Sequence, residues 1–310
     1  ATEPPLVEPP TAAPGTEPEW MDTLAGSNVP EGTPAEAAEA LRRPGAVIMV
    51  GERLAGIPGA LTAAIRLSTA TGATLVWIPR RAGERGALEA GALPGLLPGG
   101  RPVTDPGARV ETAALWGVAE LPRRVGRDTG EMLAAALDGE LDALVVAGVE
   151  VADLPSPAMA LRALEKVGFL VSLELRPTEV TERADVVLPV AAVAEKSGTF
   201  LDWEGRLRPF RAALKPDHIA TRSLLPDLRV LNMLADAMDI HLGLPEPAAA
   251  QRELARLGPW ARDYATPPTE PGRPLPAAAT GQAVLAGHRL LLDNGALQIG
   301  DDALAGTRHR

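Results

Sequence analysis

The sequence predicts an α/β chain built on a doubly wound, mainly parallel sheet. Three observations carry that prediction. Short continuous apolar runs recur along the chain, such as Ala46-Val47-Ile48-Met49-Val50 and Ala143-Leu144-Val145-Val146-Ala147. Their length and lack of alternation fit strands covered on both faces, as parallel strands are. Segments with helical spacing stand between the runs, with Gly at strand ends and Pro at helix starts.

Residues 1–44 are rich in Pro, Glu, Ala and Thr and show almost no hydrophobic periodicity. Such a segment buries too little apolar surface to offset its ordering entropy, so it is expected to be linker or poorly ordered. Trp20, Met21 and Leu24 could anchor one short stretch of it. The main α/β domain is expected over residues 45–264. It opens with a strand at 46–50, a helix at 60–71 introduced by Pro58 and closed by Gly72, and a strand at 74–78. That unit requires a right-handed crossover.

Residues 79–128 are rich in Gly, Pro and Arg and read as a long loop with one helix near 112–118. The alternation then resumes: helix 131–138, strand 143–147, helix 157–166, strand 169–175, short helix 178–183, strand 186–190. Gly51 to Pro58 and Gly148 to Pro155 run alike from a strand-ending Gly to a Pro before a helix. Either an internal duplication or the convergence of two βα turns accounts for this. Residues 195–207 read as a hairpin or irregular loop. Leu224–Ile240 is an amphipathic helix and Gln251–Leu257 another. A Pro/Ala-rich linker is expected over 265–283, and a small further β unit over 284–310, with His288 to Leu292 strand-like.

Composition narrows the function classes. The chain has 310 residues, a net charge of −10, a pI near 5.0 and 3% aromatic residues. With no basic block and few stacking platforms, nucleic acid is not an expected partner. No apolar run approaches the roughly 20 residues that span a bilayer, so membrane association is expected only through a partner. There is no cysteine, hence no disulfide, thiolate-held zinc or thiolate-held iron–sulfur cluster in these residues. The four histidines, His218, His241, His288 and His309, lie at least 21 positions apart and form no metal-binding pair by spacing. The start without Met and the polar end after a strand-like run lead us to expect a fragment.

The turn Gly51-Glu52-Arg53-Leu54-Ala55-Gly56 sits where a doubly wound sheet binds phosphates. It lacks both glycine-rich fingerprints, and Glu52 places negative charge there. The carboxylates Glu150 with Asp153, Asp185, Glu195, Asp202 with Glu204, and Asp301 with Asp302 show no convergence by spacing. Ser197 and Ser223 lack a nucleophile elbow. No catalytic residue and no metal ligand is therefore expected. The densest polar cluster is Glu195 to Arg206. It reads either as a ligand loop at a strand's carboxyl end, or as a hairpin in which Lys196, Glu204 and Arg206 pair locally and Trp203 packs.

Val180-Thr181-Glu182-Arg183-Ala184-Asp185-Val186-Val187-Leu188-Pro189, then Glu195-Lys196-Ser197-Gly198-Thr199-Phe200 and Trp203-Glu204-Gly205-Arg206, resembles the molybdopterin oxidoreductase superfamily. Three motifs in fixed order make this specific. Within the superfamily, Val50-Gly51-Glu52-Arg53, Arg80-Arg81-Ala82-Gly83-Glu84-Arg85-Gly86-Ala87 and Leu96-Leu97-Pro98-Gly99-Gly100-Arg101-Pro102 look like one branch. That branch is the large iron–sulfur (G) subunits of bacterial NADH–quinone oxidoreductase, respiratory complex I, in their actinobacterial form. The likeness covers about residues 40–310.

The resemblance implies a sheet of the molybdopterin-oxidoreductase type, followed by a β-barrel domain of which 284–310 would be the start. It implies iron–sulfur clusters in a Cys-rich N-terminal region outside these residues, and no cofactor within them. Active molybdoenzymes place Gly-x-Asn-Pro where this chain has Gly148-Val149-Glu150-Val151, and often Asn where it has Asp202. Extra carboxylates facing a pyrophosphate oppose binding unless they are paired. The relic pterin cleft is expected at Gly148, Glu150, Glu195, Lys196, Gly198, Thr199, Glu204 and Arg206. The implied role is a scaffold of the complex I peripheral arm, supporting NADH-to-quinone electron transfer coupled to proton translocation. The other arm subunits would be its partners, on the cytoplasmic side of the plasma membrane. The alternatives are a fragment of a formate-dehydrogenase-like molybdopterin enzyme and a stand-alone α/β nucleotide-binding module.

Overall fold

The computed structural model describes residues 13–79, 82–202, 204–214, 224–262, 269–272, 280–283 and 303. The chain divides into two compact units, residues 1–81 with 266–291, and residues 82–265 with 292–310.

In the first unit, helices α1 (Glu17–Ala25) and α2 (Thr33–Leu41) precede strand β1 (Val47–Gly51). The short helix α3 (Glu52–Ala55), helix α4 (Ala60–Thr71) and strand β2 (Thr74–Ile78) follow. β1 and β2 pair in parallel, with Val47 opposite Thr74 and Gly51 opposite Ile78. Helix α4 ends at Gly72, whose φ of 76° is the left-handed conformation that closes helices.

The linker expected over residues 1–44 is corrected here, since α1 and α2 lie within it and pack. Leu24, Ala38 and Leu67 form a buried cluster joined by Trp20, Met21 and Ile48. A few large side chains in a Pro- and Glu-rich stretch suffice, because α4 offers them a ready apolar face. Arg66 on α4 grips Asp22 on α1 through two hydrogen bonds of 2.9 and 2.7 Å.

The second unit opens with helix α5 (Glu84–Glu89), the two-residue strands β3 (Leu96–Leu97) and β4 (Arg101–Pro102), and helix α6 (Pro106–Trp116). The long loop expected over 79–128 is thus substantially structured, and its helix starts six residues before the expected 112. Asp105 caps α6 by accepting the Ala108 amide hydrogen at 2.8 Å, with Pro106 at the first helical position.

Arg101, 2% exposed, holds this part together. Its guanidinium donates to the carbonyls of Leu257 at 2.9 Å and Gly258 at 3.2 Å, and to Glu111 at 3.2 Å. It also lies 5.2 Å from the ring centroid of Trp260. A buried guanidinium is tolerated because carbonyls, carboxylate and indole replace its water.

Helix α7 (Thr129–Asp138), strand β5 (Ala143–Ala147), helix α8 (Pro157–Lys166), strand β6 (Phe169–Glu174) and strand β7 (Val186–Pro189) form the parallel centre of this unit. The order is β5-β6-β7, all parallel. α7 and α8 cover one face, where Ala136, Ala160, Leu164 and Leu170 are buried with Leu144 and Val146 against them. The short helix expected at 178–183 is a series of turns instead. Its Val180 still enters that same cluster.

The opposite face carries the rows Val145-Val171-Val186 and Ala147-Leu173-Leu188, with Phe169 opposite Ala143. An antiparallel hairpin, β8 (Gly198–Leu201) with β9 (Leu207–Phe210), follows β7. Helices α9 (Asp227–Ala237) and α10 (Pro247–Leu257) complete the unit. The expected α/β class with parallel sheets is what the structure has. The expected barrel start at 284–310 lies, apart from residue 303, outside the described residues, as do His218, His288, Trp203, Ser223 and Arg80.

Candidate functional site

The candidate residues belong to the second unit and follow the carboxyl ends of β5 and β7. At the end of β5 the chain turns through Gly148, whose φ is 60°. Its amide hydrogen bonds the Leu173 carbonyl at 3.1 Å. Glu150, two residues on, pairs with Arg176 beyond the end of β6 at 2.7 Å, both half-buried. Arg176 carries no signal in the sequence, because nothing but the fold brings it opposite Glu150.

Asp185 stands just before β7. Its carboxylate accepts the Leu170 amide hydrogen at 2.7 Å, and its own amide donates to the Leu170 carbonyl at 2.9 Å. The acidic residue of the Ala-Asp-Val-Val-Leu-Pro motif therefore extends the β6–β7 ladder by one rung.

After β7, Glu195 accepts the Ala192 amide hydrogen at 3.2 Å and caps a short 3₁₀ turn. Lys196 pairs with Asp227, the first residue of α9. Gly198 lies directly beneath the Phe210 ring, where a Cβ would come within 2.8 Å of the ring edge. The Phe200 and Phe210 rings stack at 5.2 Å. The Gly-Thr-Phe motif is thereby accounted for by hairpin packing: a ring fills the space that a side chain at 198 would take. Thr199 accepts a hydrogen bond from Gln251 on α10. Gln251 and Asp227 give no signal in the sequence beyond lying within helical segments.

At the hairpin tip, Glu204 pairs with Arg206. Asp202 accepts the Arg206 amide hydrogen at 2.8 Å and the Arg208 guanidinium at 3.0 Å. The Arg206 backbone bond chiefly, with Arg208 adding to it, holds the Asp202 carboxyl below the ordinary carboxylate range.

These contacts bear on the pterin dinucleotide that the resemblance evokes. A pyrophosphate needs cations or amides free to meet it. Here Arg176, Lys196, Arg206 and Arg208 each already face a carboxylate of the same chain, Glu150, Asp227, Glu204 and Asp202 respectively. Among the described residues, the cations of the two candidate sets are thus engaged within the chain and do not fit that group. The two sets of candidates, at Gly148–Glu150 and at Glu195–Arg206, share the same end of one sheet without a hydrogen bond between them among the described residues. Among those residues, no group of three or more His, Cys, Asp or Glu could hold a metal ion. In the first unit, Glu52 opens α3 directly after β1, with no glycine-rich phosphate loop around it.

Comparison with known proteins places this geometry. The molybdopterin oxidoreductase family model matches residues 48–222. The G subunit of NADH-quinone oxidoreductase from Streptomyces coelicolor is 67% identical over 299 residues, which cover 96% of this chain and 35% of that protein. The Mycobacterium tuberculosis protein of the same name is 52% identical over 298 residues, covering 95% of this chain and 35% of the relative. The alpha subunit of the NADPH-Fe(3+) oxidoreductase of Geobacter sulfurreducens is 31% identical over 248 residues, covering 77% and 28%. The chain spans about a third of the length of the curated relatives it matches. With more than half of its residues matched by the family model, from the first strand past the β8–β9 hairpin, the chain belongs to the molybdopterin oxidoreductase family.

Proposed function

We propose that this chain is a scaffold portion of the peripheral arm of a bacterial respiratory NADH–quinone oxidoreductase, itself without catalytic residues. The carrying observation is the engagement of the motif side chains inside the chain. Gly198 seats a ring, Asp185 extends a sheet, and Lys196, Arg206 and Glu150 are paired. In a chain 67% identical to a protein named for that complex, such engagement supports a family fold kept for its shape.

On this reading the electron carriers, iron–sulfur clusters, belong to the N-terminal region of the longer polypeptide, and these residues hold none. Neighbouring arm subunits are the partners, on the cytoplasmic side of the plasma membrane. The α/β body at 45–264, the linker at 265–283 and the barrel start at 284–310 remain its proposed domains. No described helix is long and apolar enough to cross a membrane, which agrees with attachment through the assembly.

The test is affinity purification of the tagged protein from membranes of its own host. Elemental mass spectrometry and the fluorescence of oxidised pterin are then measured on the product. The expected product oxidises NADH, reduces quinone, and contains no molybdenum, tungsten or pterin. Stoichiometric pterin with either metal overturns the proposal in favour of a formate-dehydrogenase-like enzyme.

A further inference from the structure

The first unit takes in a short stretch from far along the chain. Residues 269–272, Thr-Glu-Pro-Gly, fall within the expected linker yet belong to that unit. The Glu270 amide donates to the Thr62 hydroxyl oxygen on α4 at 3.0 Å, across 208 positions. Pro271 and Gly272 then pass over Gly59, the residue that leads into α4. A Cβ on Gly272 would stand 3.9 Å from the Pro18 Cβ on α1, so the stretch lies against both helices.

The approach at Gly59 is too close for a side chain. A Cβ there would stand 2.5 Å from the Gly272 nitrogen, 2.6 Å from its Cα and 2.9 Å from the Pro271 carbonyl carbon. All three are backbone atoms, which cannot rotate aside. Thr62 is 9% exposed, and the Glu270 amide supplies a partner for its hydroxyl. Pro271 lowers the entropy lost when so short a stretch is held.

The place bears on binding as well as on packing. In doubly wound sheets the amino end of a helix that follows a strand is where phosphates meet backbone amides. Beside Gly59 the protein's own main chain fills that position, leaving no room even for a methyl carbon.

We infer that residues 269–272 form a strap, bonded to Thr62 and seated on Gly59, that covers the amino end of α4. The expected linker is then no free spacer: the chain beyond 272 sets out from a fixed point on the first unit. The strap does not rest on the proposed function, since it is a contact within one unit whatever assembly that unit serves.

The experiment measures deuterium exchange at the Glu270 amide by mass spectrometry with single-amide fragmentation, on the full polypeptide from its own host. All four strap residues are exposed, so without its bond this amide exchanges as in a free peptide. In the native protein it is expected to exchange about tenfold more slowly. T62V removes the acceptor and G59A drives a Cβ into the strap; both are expected to restore the free-peptide rate while α4 stays protected. T62S keeps the hydroxyl and should keep the native rate. G72A is the control for backbone strain, because Gly72 has a φ of 76° at the other end of α4 with nothing within 4 Å of its Cβ position. A free-peptide rate in the native protein overturns the strap, as does T62V exchanging like the native chain or G72A exchanging like G59A. If G59A does not fold, T62V against T62S gives the same decision. None of these outcomes depends on pterin, metal or quinone reduction.

Discussion

Asp202 accepts the Arg206 amide hydrogen at 2.8 Å, so the turn between β8 and β9 is closed by a charged side chain acting on backbone four residues ahead. The bond favours the ionised carboxyl and lowers its pKa in the folded state. The contribution of this contact is complete above the unfolded value, about 3.9, and is lost as pH falls through the lowered folded value. The Arg206 amide resonance is expected to move in that acid window, and D202N is expected to abolish the movement. A titration of Arg206 that is the same in D202N and the native chain would count against this account.

The Asp185 carboxylate accepts the hydrogen of the Leu170 amide, on a residue that is itself buried. D185A removes the partner of that part-buried hydrogen, at a cost of about 1 kcal/mol. D185N keeps an oxygen in place and should lose less. Urea denaturation of both variants checks the order, and equal losses would mean that the charge, rather than the hydrogen bond, matters.

Two glycines separate conformation from space. Gly91 and Gly139 both have φ of 76°. A Cβ at 139 meets nothing within 4 Å, while one at 91 would lie 2.4 Å from the Leu97 carbonyl carbon. G139A is therefore expected to cost about 1–2 kcal/mol, the left-handed penalty alone. G91A must also push β3 away and should cost more. Paired thermal melts decide it.

Helix α1 is held by burial more than by charge. L24A opens the cluster with Ala38 and Leu67 and should cost about 2–5 kcal/mol. The Arg66–Asp22 pair is exposed, and although the Asp22 hydrogen bond raises the Arg66 pKa, an exposed pair contributes about 1 kcal/mol at most. D22N is expected to leave α1 docked in hydrogen exchange, whereas L24A is expected to release it.

Much of the fold is legible in the sequence where the signals are local. Helix α8 begins at Pro157 and ends at Lys166 as its spacing requires, and β5 coincides with its apolar run. The linker reading of α1 and α2 fails because their composition looks solvated. What α1 packs against includes Leu67, more than 40 residues beyond Leu24. At the site, the local pairing of Glu204 with Arg206 is readable from two residues' separation. The role of Gly198 is not, since it depends on where the Phe210 ring lies across the hairpin.

Arg101 and the Leu257 carbonyl it meets are 156 positions apart. At about 5–20 residues per second, the arginine is added to the chain roughly 8–30 s before its acceptor. Over that interval the guanidinium has Glu111 and the Pro98 carbonyl within reach, but water must stand in for the carbonyls of Leu257 and Gly258. Synthesis itself thus schedules the closing of the second unit, and its last fastening waits for the far end of α10.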